Sequence, residues 1–367
     1  MHSLRDSSPS IKRISASSYT IATDYPESDG TLSWNSTTIV IARAEAGGRV
    51  GLGYTYSDAA AAMLIDGKLR QVVEGLDAFD LPCAWQEMQR AVRNVGREGI
   101  AASAIAAVET ALWDLKGLLL GVPVVTLLGR GRDSVPLYGS GGFTSVDTAK
   151  LQEQLAGWVN QGIRRVKMKI GRDPAADVER VRAARDAIGD AQLFVDANGA
   201  YSRKRALAQA EKFAEYGVSW FEEPVSSDDL EGLRLIRDRA PAEMEIAAGE
   251  YGYTTWYFRR MLEAGAVDVL QADATRCAGF TGFLQADALC QAHHISLSAH
   301  TAPALHLHVC CAAQSLRHLE YFHDHVRIER ILFDGVPEPV GGELHPDLSR
   351  PGLGLVLKEQ DAQKYAA

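Results

Sequence analysis

Lys167, Lys169, Asp196, Glu222, Glu250, Asp273, His300 and Glu320 carry the most suggestive chemistry in this chain, and their spacing is the first clue to it. From Lys169 onwards, successive members stand 20 to 28 residues apart, close to one strand-plus-helix repeat of a barrel. Each lies in or ends a short apolar run: VKMKI, LFVDAN, SWFEEP, EIAAGE, VDVLQAD, ISLSAH and SLRHLEYF. Parallel strands finish at one rim, so charged residues that end them would converge around a single mouth.

Three of the acids, Asp196, Glu222 and Glu250, would repel one another unless a cation sat among them. Hard carboxylate oxygens suit Mg²⁺, which leaves its remaining positions to water or substrate. Lys167 and Lys169 alternate onto one face of their strand, with Val166, Met168 and Ile170 on the other. Two ammonium groups so close are expected to lower the pKa of at least one, as a lysine base requires. Asp273 and His300 end consecutive strands, where the carboxylate can hold one imidazole nitrogen and aim the other at substrate. His293, His294, His306, His308, His323 and His325 lack the tight ligand spacing of a zinc site. His323 and His325 follow Glu320 closely enough to border the same mouth.

The elements that must position these groups begin at Val135. Eight strand candidates alternate with helical stretches such as AADVERVRAARDAIG, matching an eight-stranded α/β barrel in count and length. A doubly wound open sheet is the rival, but it rarely needs eight strands that each end in a polar residue. The first third has a different rhythm. TTIVIARAEAGGRVGLGYTY reads as a hairpin turning at Gly47-Gly48. IAASAIAAVETALWDLKGLLLG then reads as a helix with Ile105, Val108, Leu112, Leu115 and Leu119 on one face. Residues 1–131 are thus expected to form an α+β domain and 132–333 the barrel. The Gly/Pro-rich tail, 334–367, is expected to run back over the first domain.

The net charge of −9 argues against nucleic-acid backbone as a partner. An odd count of five cysteines without CxxC pairing fits reduced thiols. With no apolar leader at the start and no run long enough to span a bilayer, a cytoplasmic protein without membrane contact is expected.

The set KMK, VDAN, FEEP, AGE, LQAD, SAH and HLE resembles the enolase superfamily, specifically its mandelate racemase-like branch. ALWDLKG…VPVVTLLG and RPGLGL extend the likeness over nearly the whole chain. The resemblance implies a modified TIM barrel, (β/α)7β, an N-terminal α+β capping domain, and a Mg²⁺ that binds a substrate carboxylate. It implies Lys169 as a base on one face and the His300–Asp273 dyad on the other, with Asp196, Glu222 and Glu250 as ligands in preference to Glu223. Glu320 would be a protonated donor to the substrate carboxylate, with Lys167 and Asn198 as supporting polar groups. The family's PDxxRxGG is replaced here by ADATRCAGF, so Ala272 and Ala278 depart from the pattern while Asp273 and Arg276 keep their places.

These parts suit removal of a proton α to a carboxylate. Dehydration of an acid sugar, aldonate or aldarate, to a 2-keto-3-deoxy acid is the favoured outcome. Racemisation or epimerisation of a 2-hydroxy acid is the alternative, and a non-catalytic binding relic the third reading. TDYPESDGTLSW and GYTYSD supply hydroxyls and carboxylates, making Asp24, Tyr25, Tyr54 and Tyr56 the expected specificity residues. The partners expected are a small carboxylate substrate and further copies of the chain.

Overall fold

The structure is a computed structural model that describes residues 8–367; residues 1–7 of the expected first domain lie outside the described residues. The chain first builds a three-stranded antiparallel sheet from β1 (Arg13–Ser28), β2 (Ser33–Ala46) and β3 (Arg49–Tyr56). The hairpin expected between β2 and β3 is present, and Gly47 and Gly48 supply the positive φ angles of its two-residue turn. β1 was not anticipated. Its RISASSYTIATDYPES sequence is mostly polar, and its place is set by pairing with β2 over nearly its whole length.

The helix Ile100–Leu120 packs directly on β3. VGLGY puts Gly51 and Gly53 on the face towards this helix. A Cβ at Gly53 would stand 2.3 Å from Ala111 N and 2.4 Å from Ala107 O, so only glycine permits the approach. Ala104, Ala107 and Ala111 complete the close fit from the helix side and are fully buried.

Eight parallel strands follow: β4 (Val135–Gly141), β5 (Arg165–Lys169), β6 (Gln192–Asp196), β7 (Val218–Glu222), β8 (Glu245–Ala248), β9 (Val269–Ala272), β10 (Ser296–Ala299) and β11 (Leu316–Phe322). β11 pairs with β4 and closes the barrel. A helix lies between each pair of successive strands, as (β/α)7β requires, and β11 runs into a further helix, His323–Leu332. The outward residues Val166, Met168 and Ile170 are buried beneath these helices.

The tail touches both regions. β12 (Phe333–Asp334) pairs with β14 (Val356–Leu357), while β13 (Glu343–Leu344) adds antiparallel to β4. Leu353 N donates to Asp114 of the long helix, Arg43 of β2 pairs with Glu359, and Ala366 bridges Tyr19. No helix among the described residues is long and apolar enough to cross a membrane.

Candidate active site

Alternation along the barrel strands separates a floor from a rim. Tyr138, Phe194 and Trp220 point inwards and meet His318 around the axis, with the Phe194 and Trp220 rings stacked at 5.1 Å. Two residues further along the same strands come Ser140, Asp196, Glu222 and Glu320. Lys169, Asp196 and Glu222 are successive register partners across β5, β6 and β7, so three distant segments bring their end residues level.

At that rim Asp196, Glu222 and Glu250 each offer an oxygen within 4.8 Å of the others, and all three are buried. Lys167 Nζ lies 2.5 Å from Glu222 Oε1, 2.9 Å from Glu320 Oε1 and 3.5 Å from Asp196 Oδ2. Lys169 Nζ donates to Asp196 Oδ2 at 2.5 Å. Trp220 Nε1 holds the other Glu222 oxygen at 2.9 Å, and Asn198 N holds Asp196 Oδ1 at 2.9 Å. On the far side, His300 Nδ1 bonds Asp273 Oδ2 at 2.8 Å, which leaves Nε2 3.2 Å from Glu250 Oε2 and 3.7 Å from Glu320 Oε2.

Burial pushes Glu222 up to about 8, with the neighbouring Asp196 charge adding to it. Burial alone would also raise Glu250, but His300, Arg276 and Lys169 outweigh it and hold that carboxyl well below its usual range. The buried Glu250 Oε2 faces the His300 imidazole, 3.2 Å away. Three buried carboxylates so close, one of them forced towards protonation, fit a hard divalent cation between them.

The surroundings of the site run against two expectations about charge. Burial would depress both lysines, yet Glu222 and Glu320 hold Lys167 well above its usual pKa, and Asp196 does the same for Lys169. The acids overcome the mutual repulsion of the pair. For Glu320, expected as a protonated donor, the surroundings pull towards the charged form. Burial would raise it, but Lys167 and His300 bring it down to about 2. His300, which burial would depress, is pushed up to about 9 by Glu250, Glu320 and its Asp273 bond.

These groups open into a cavity of about 430 Å³ between barrel and cap. Lys169, Glu250, His300, Glu320 and Asn198 line it, while Lys167 is fully enclosed beneath it. Asn198 Oδ1 has no partner among the described residues. Of the four expected specificity residues, only Tyr56 reaches the cavity. Its ring stacks on His325, which also lines the cavity, at 3.4 Å. Tyr54 shares the β3 face of Tyr56 and packs against its ring, but it lies outside the lining; its buried hydroxyl donates to Glu329 Oε1 at 2.5 Å. Asp24 and Tyr25 lie in an outer groove with His323, where Lys150 Nζ sits 3.2 Å from the centre of the Tyr25 ring.

Of the residues the cap does supply, Asp29, Trp34, Ser57 and Asp58 fall within the two polar segments picked out in the sequence without being named there, and Ser36, Thr37 and Thr38 fall outside them. Trp34, Ser36, Thr37 and Thr38 come from the start of β2, Asp29 from the turn before it, and Ser57 and Asp58 from just after β3. A Trp beside a run of hydroxyls, SWNSTT, was the available signal. Arg276 and Tyr251 complete the barrel side. At the departing loop, Ala278 adopts φ 65°, the left-handed conformation that glycine would favour, and its carbonyl accepts from Trp85 Nε1 at 2.9 Å. The loop thus keeps a glycine-like turn without the glycine.

Comparison with known proteins matches residues 20–129 to the mandelate racemase / muconate lactonizing enzyme N-terminal domain and 150–362 to the enolase C-terminal domain-like family. A 3,6-anhydro-alpha-L-galactonate cycloisomerase from Streptomyces coelicolor is 35% identical over 318 residues, 84% of this chain and 86% of that protein. The structure of a mandelate racemase/muconate lactonizing enzyme-like protein from Rubrobacter xylanophilus superposes with a TM-score of 0.96 at 57% identity, covering 98% of this chain and 100% of that one. L-talarate/galactarate dehydratase from Salmonella typhimurium LT2, liganded with Mg and L-lyxarohydroxamate, gives 0.90 at 28% identity, covering 100% and 95%. The two family matches, with a charged rim of this geometry in the matched barrel, make the chain an enzyme of the enolase superfamily, in its mandelate racemase/muconate lactonizing branch.

Proposed function

We propose that this enzyme uses Mg²⁺, held by Asp196, Glu222 and Glu250, to dehydrate an acid sugar to a 2-keto-3-deoxy acid. The observation that carries this reading is the carboxylate triad flanked by Lys169 on one side and the His300–Asp273 pair on the other, around one cavity. A proton α to a carboxylate is very weakly acidic, so its removal depends on stabilising the charge that develops on the carboxylate oxygens. Mg²⁺ in the triad would supply that stabilisation and relieve the repulsion among the three acids.

Lys169 is the base that takes the C2 proton. Its contact with Asp196 keeps it positioned, and it accepts a proton once that carboxylate's charge is engaged elsewhere. The electrons of the C2–H bond form a C2–C3 double bond as the C3–O bond breaks. His300, held by Asp273 and cationic at neutral pH, donates its proton so that the hydroxyl leaves as water. The enol then tautomerises to the ketone. Lys167 lies below the cavity and works by fixing Glu222 and Glu320. The unpartnered Asn198 Oδ1 is suited to accept from a substrate hydroxyl.

Hydroxyls on the cap side of the cavity, from Ser36, Thr38, Tyr56 and Ser57, favour a polyhydroxy substrate. Proton-transfer groups on both sides favour a second reading, racemisation or epimerisation by return of the proton from the opposite face. A panel of acid sugars incubated with MgCl₂ separates the two. Formation of a 2-keto acid supports dehydration. A change in optical rotation without keto acid overturns it in favour of epimerisation.

A further inference from the structure

The cavity has two unlike ends. Its barrel end holds the carboxylate triad with Lys169, Arg276 and His300; its cap end holds Asp29, Asp58 and hydroxyls. Among the described lining residues, the cap supplies no lysine or arginine. We infer that the site is built for a sugar acid with one carboxylate, an aldonate whose far end is an uncharged alcohol, and that it discriminates against the matching dicarboxylate aldarates. This inference rests on the acid-sugar reading above and adds the charge of the substrate's far end.

Each basic group that lines the cavity is already committed. Lys169 is tied to Asp196, and His300 to Asp273. Arg276 donates to the Glu250 carbonyl at 3.1 Å and lies 3.6 Å from both the Glu250 and Asp273 carboxylates, so it serves the barrel end. His325 is covered by the Tyr56 ring, and its Nδ1 accepts the Ala302 N–H at 3.3 Å. Burial keeps that imidazole neutral, well below its usual pKa. Arg172 reaches the cap from the β5 loop, but its guanidinium is engaged with Ser33 Oγ at 3.1 Å and is not part of the lining.

The acids at the cap end are fixed in place. Asp29 Oδ1 accepts the backbone N–H groups of Thr31 at 2.6 Å and Leu32 at 2.7 Å, so the turn between β1 and β2 orients it. Asp58 Oδ1 accepts from Ala60 N at 2.8 Å. A terminal hydroxyl can donate to either carboxylate. A second substrate carboxylate would meet two like charges and no counter-ion, which is how a site rejects a close relative of its substrate.

The test compares matched pairs of equal stereochemistry, such as gluconate with glucarate and galactonate with galactarate, on the Mg²⁺-loaded protein. Turnover is read as 2-keto acid formation and binding by calorimetry. In the reactive pair, kcat/KM for the aldonate should exceed that for the aldarate by about 100-fold. Asp58→Lys should narrow that ratio at least about tenfold by improving the aldarate, and Ser36→Arg offers the same gain should the first variant fold poorly. An aldarate turned over as well as its aldonate overturns the inference, as does a ratio unmoved in both variants. If no acid reacts, the dehydration reading fails separately. The binding order then decides: tighter aldonates support the inference, while equal or tighter aldarates, or no aldonate binding at all, overturn it.

Discussion

The barrel rim and the cap face line the same cavity by opposite means. At the rim, the lysines, the histidine and their acids are buried and locked together: Lys167 to Glu222 and Glu320, Lys169 to Asp196, His300 to Asp273. At the cap face, the side chains are hydroxyls, an indole and two acids carried by a turn and a strand end. On the proposed function, proton-transfer geometry would be held by rigid strands, whereas selection among sugars would be left to segments that can vary without moving the bases. Substitutions at the rim should therefore remove turnover, and substitutions in the cap should change stability or preference while leaving chemistry in place.

The largest effect is expected from the bases. Lys169→Ala and His300→Asn, each alone, should lower kcat by about 10³-fold or more, with thermal stability close to that of the parent. Unimpaired turnover in either variant would remove that residue from the proton-transfer pair. Next comes the metal. Chelation should abolish turnover and MgCl₂ restore it, and Glu222→Gln should weaken Mg²⁺ binding at least about tenfold in calorimetry. Turnover that survives chelation would separate the triad from the reaction.

Cap substitutions sharpen the contrast from the other side. Tyr54→Phe strips the buried Glu329 carboxyl of its hydroxyl donor, leaving only the Ala304 N–H, and should cost about 1–2 kcal/mol in denaturant unfolding, with kcat retained. Unchanged stability with a large rise in KM would return Tyr54 to the substrate site. The smallest effect is a pH dependence. Burial, reinforced by Asp324, pushes Glu27 up to about 8 in the folded chain. A carboxyl raised on folding contributes stability that is full below its unfolded pKa of 4.5 and lost as pH climbs through about 8. Glu27→Gln keeps an acceptor for Trp34 Nε1 and removes the titration, so its Tm relative to the parent should rise steadily between pH 5 and 9. A flat difference would mean that Glu27 titrates normally.

The same division explains what could be read from the chain. Barrel strands advertise themselves, because an apolar run ending in a charged residue recurs once per repeat and position along a strand fixes its face. Asp196, Glu222 and Glu250 were legible for that reason, as were Lys169 and His300. The cap has no such repeat. β1 reads as polar sequence because its place comes from pairing with β2, and Tyr54 and Tyr56 look alike until tertiary packing buries one on Glu329 and leaves the other on the cavity. Protonation was the least legible property. Lys167 and Lys169 look mutually repulsive in VKMKI, and only the convergence of acids from β6, β7 and β11 reverses the sign. Glu320 is drawn towards its charged form in turn by Lys167 and His300.

The most direct test of the central claim, α-proton removal at the barrel rim followed by loss of the β-hydroxyl, is NMR of an acid-sugar panel incubated with enzyme and Mg²⁺ in D₂O. Dehydration predicts a 2-keto-3-deoxy acid carrying one solvent deuteron at C3, formed by the parent and absent with Lys169→Ala. Recovery of every acid with no keto product and its C2 proton unexchanged would contradict it.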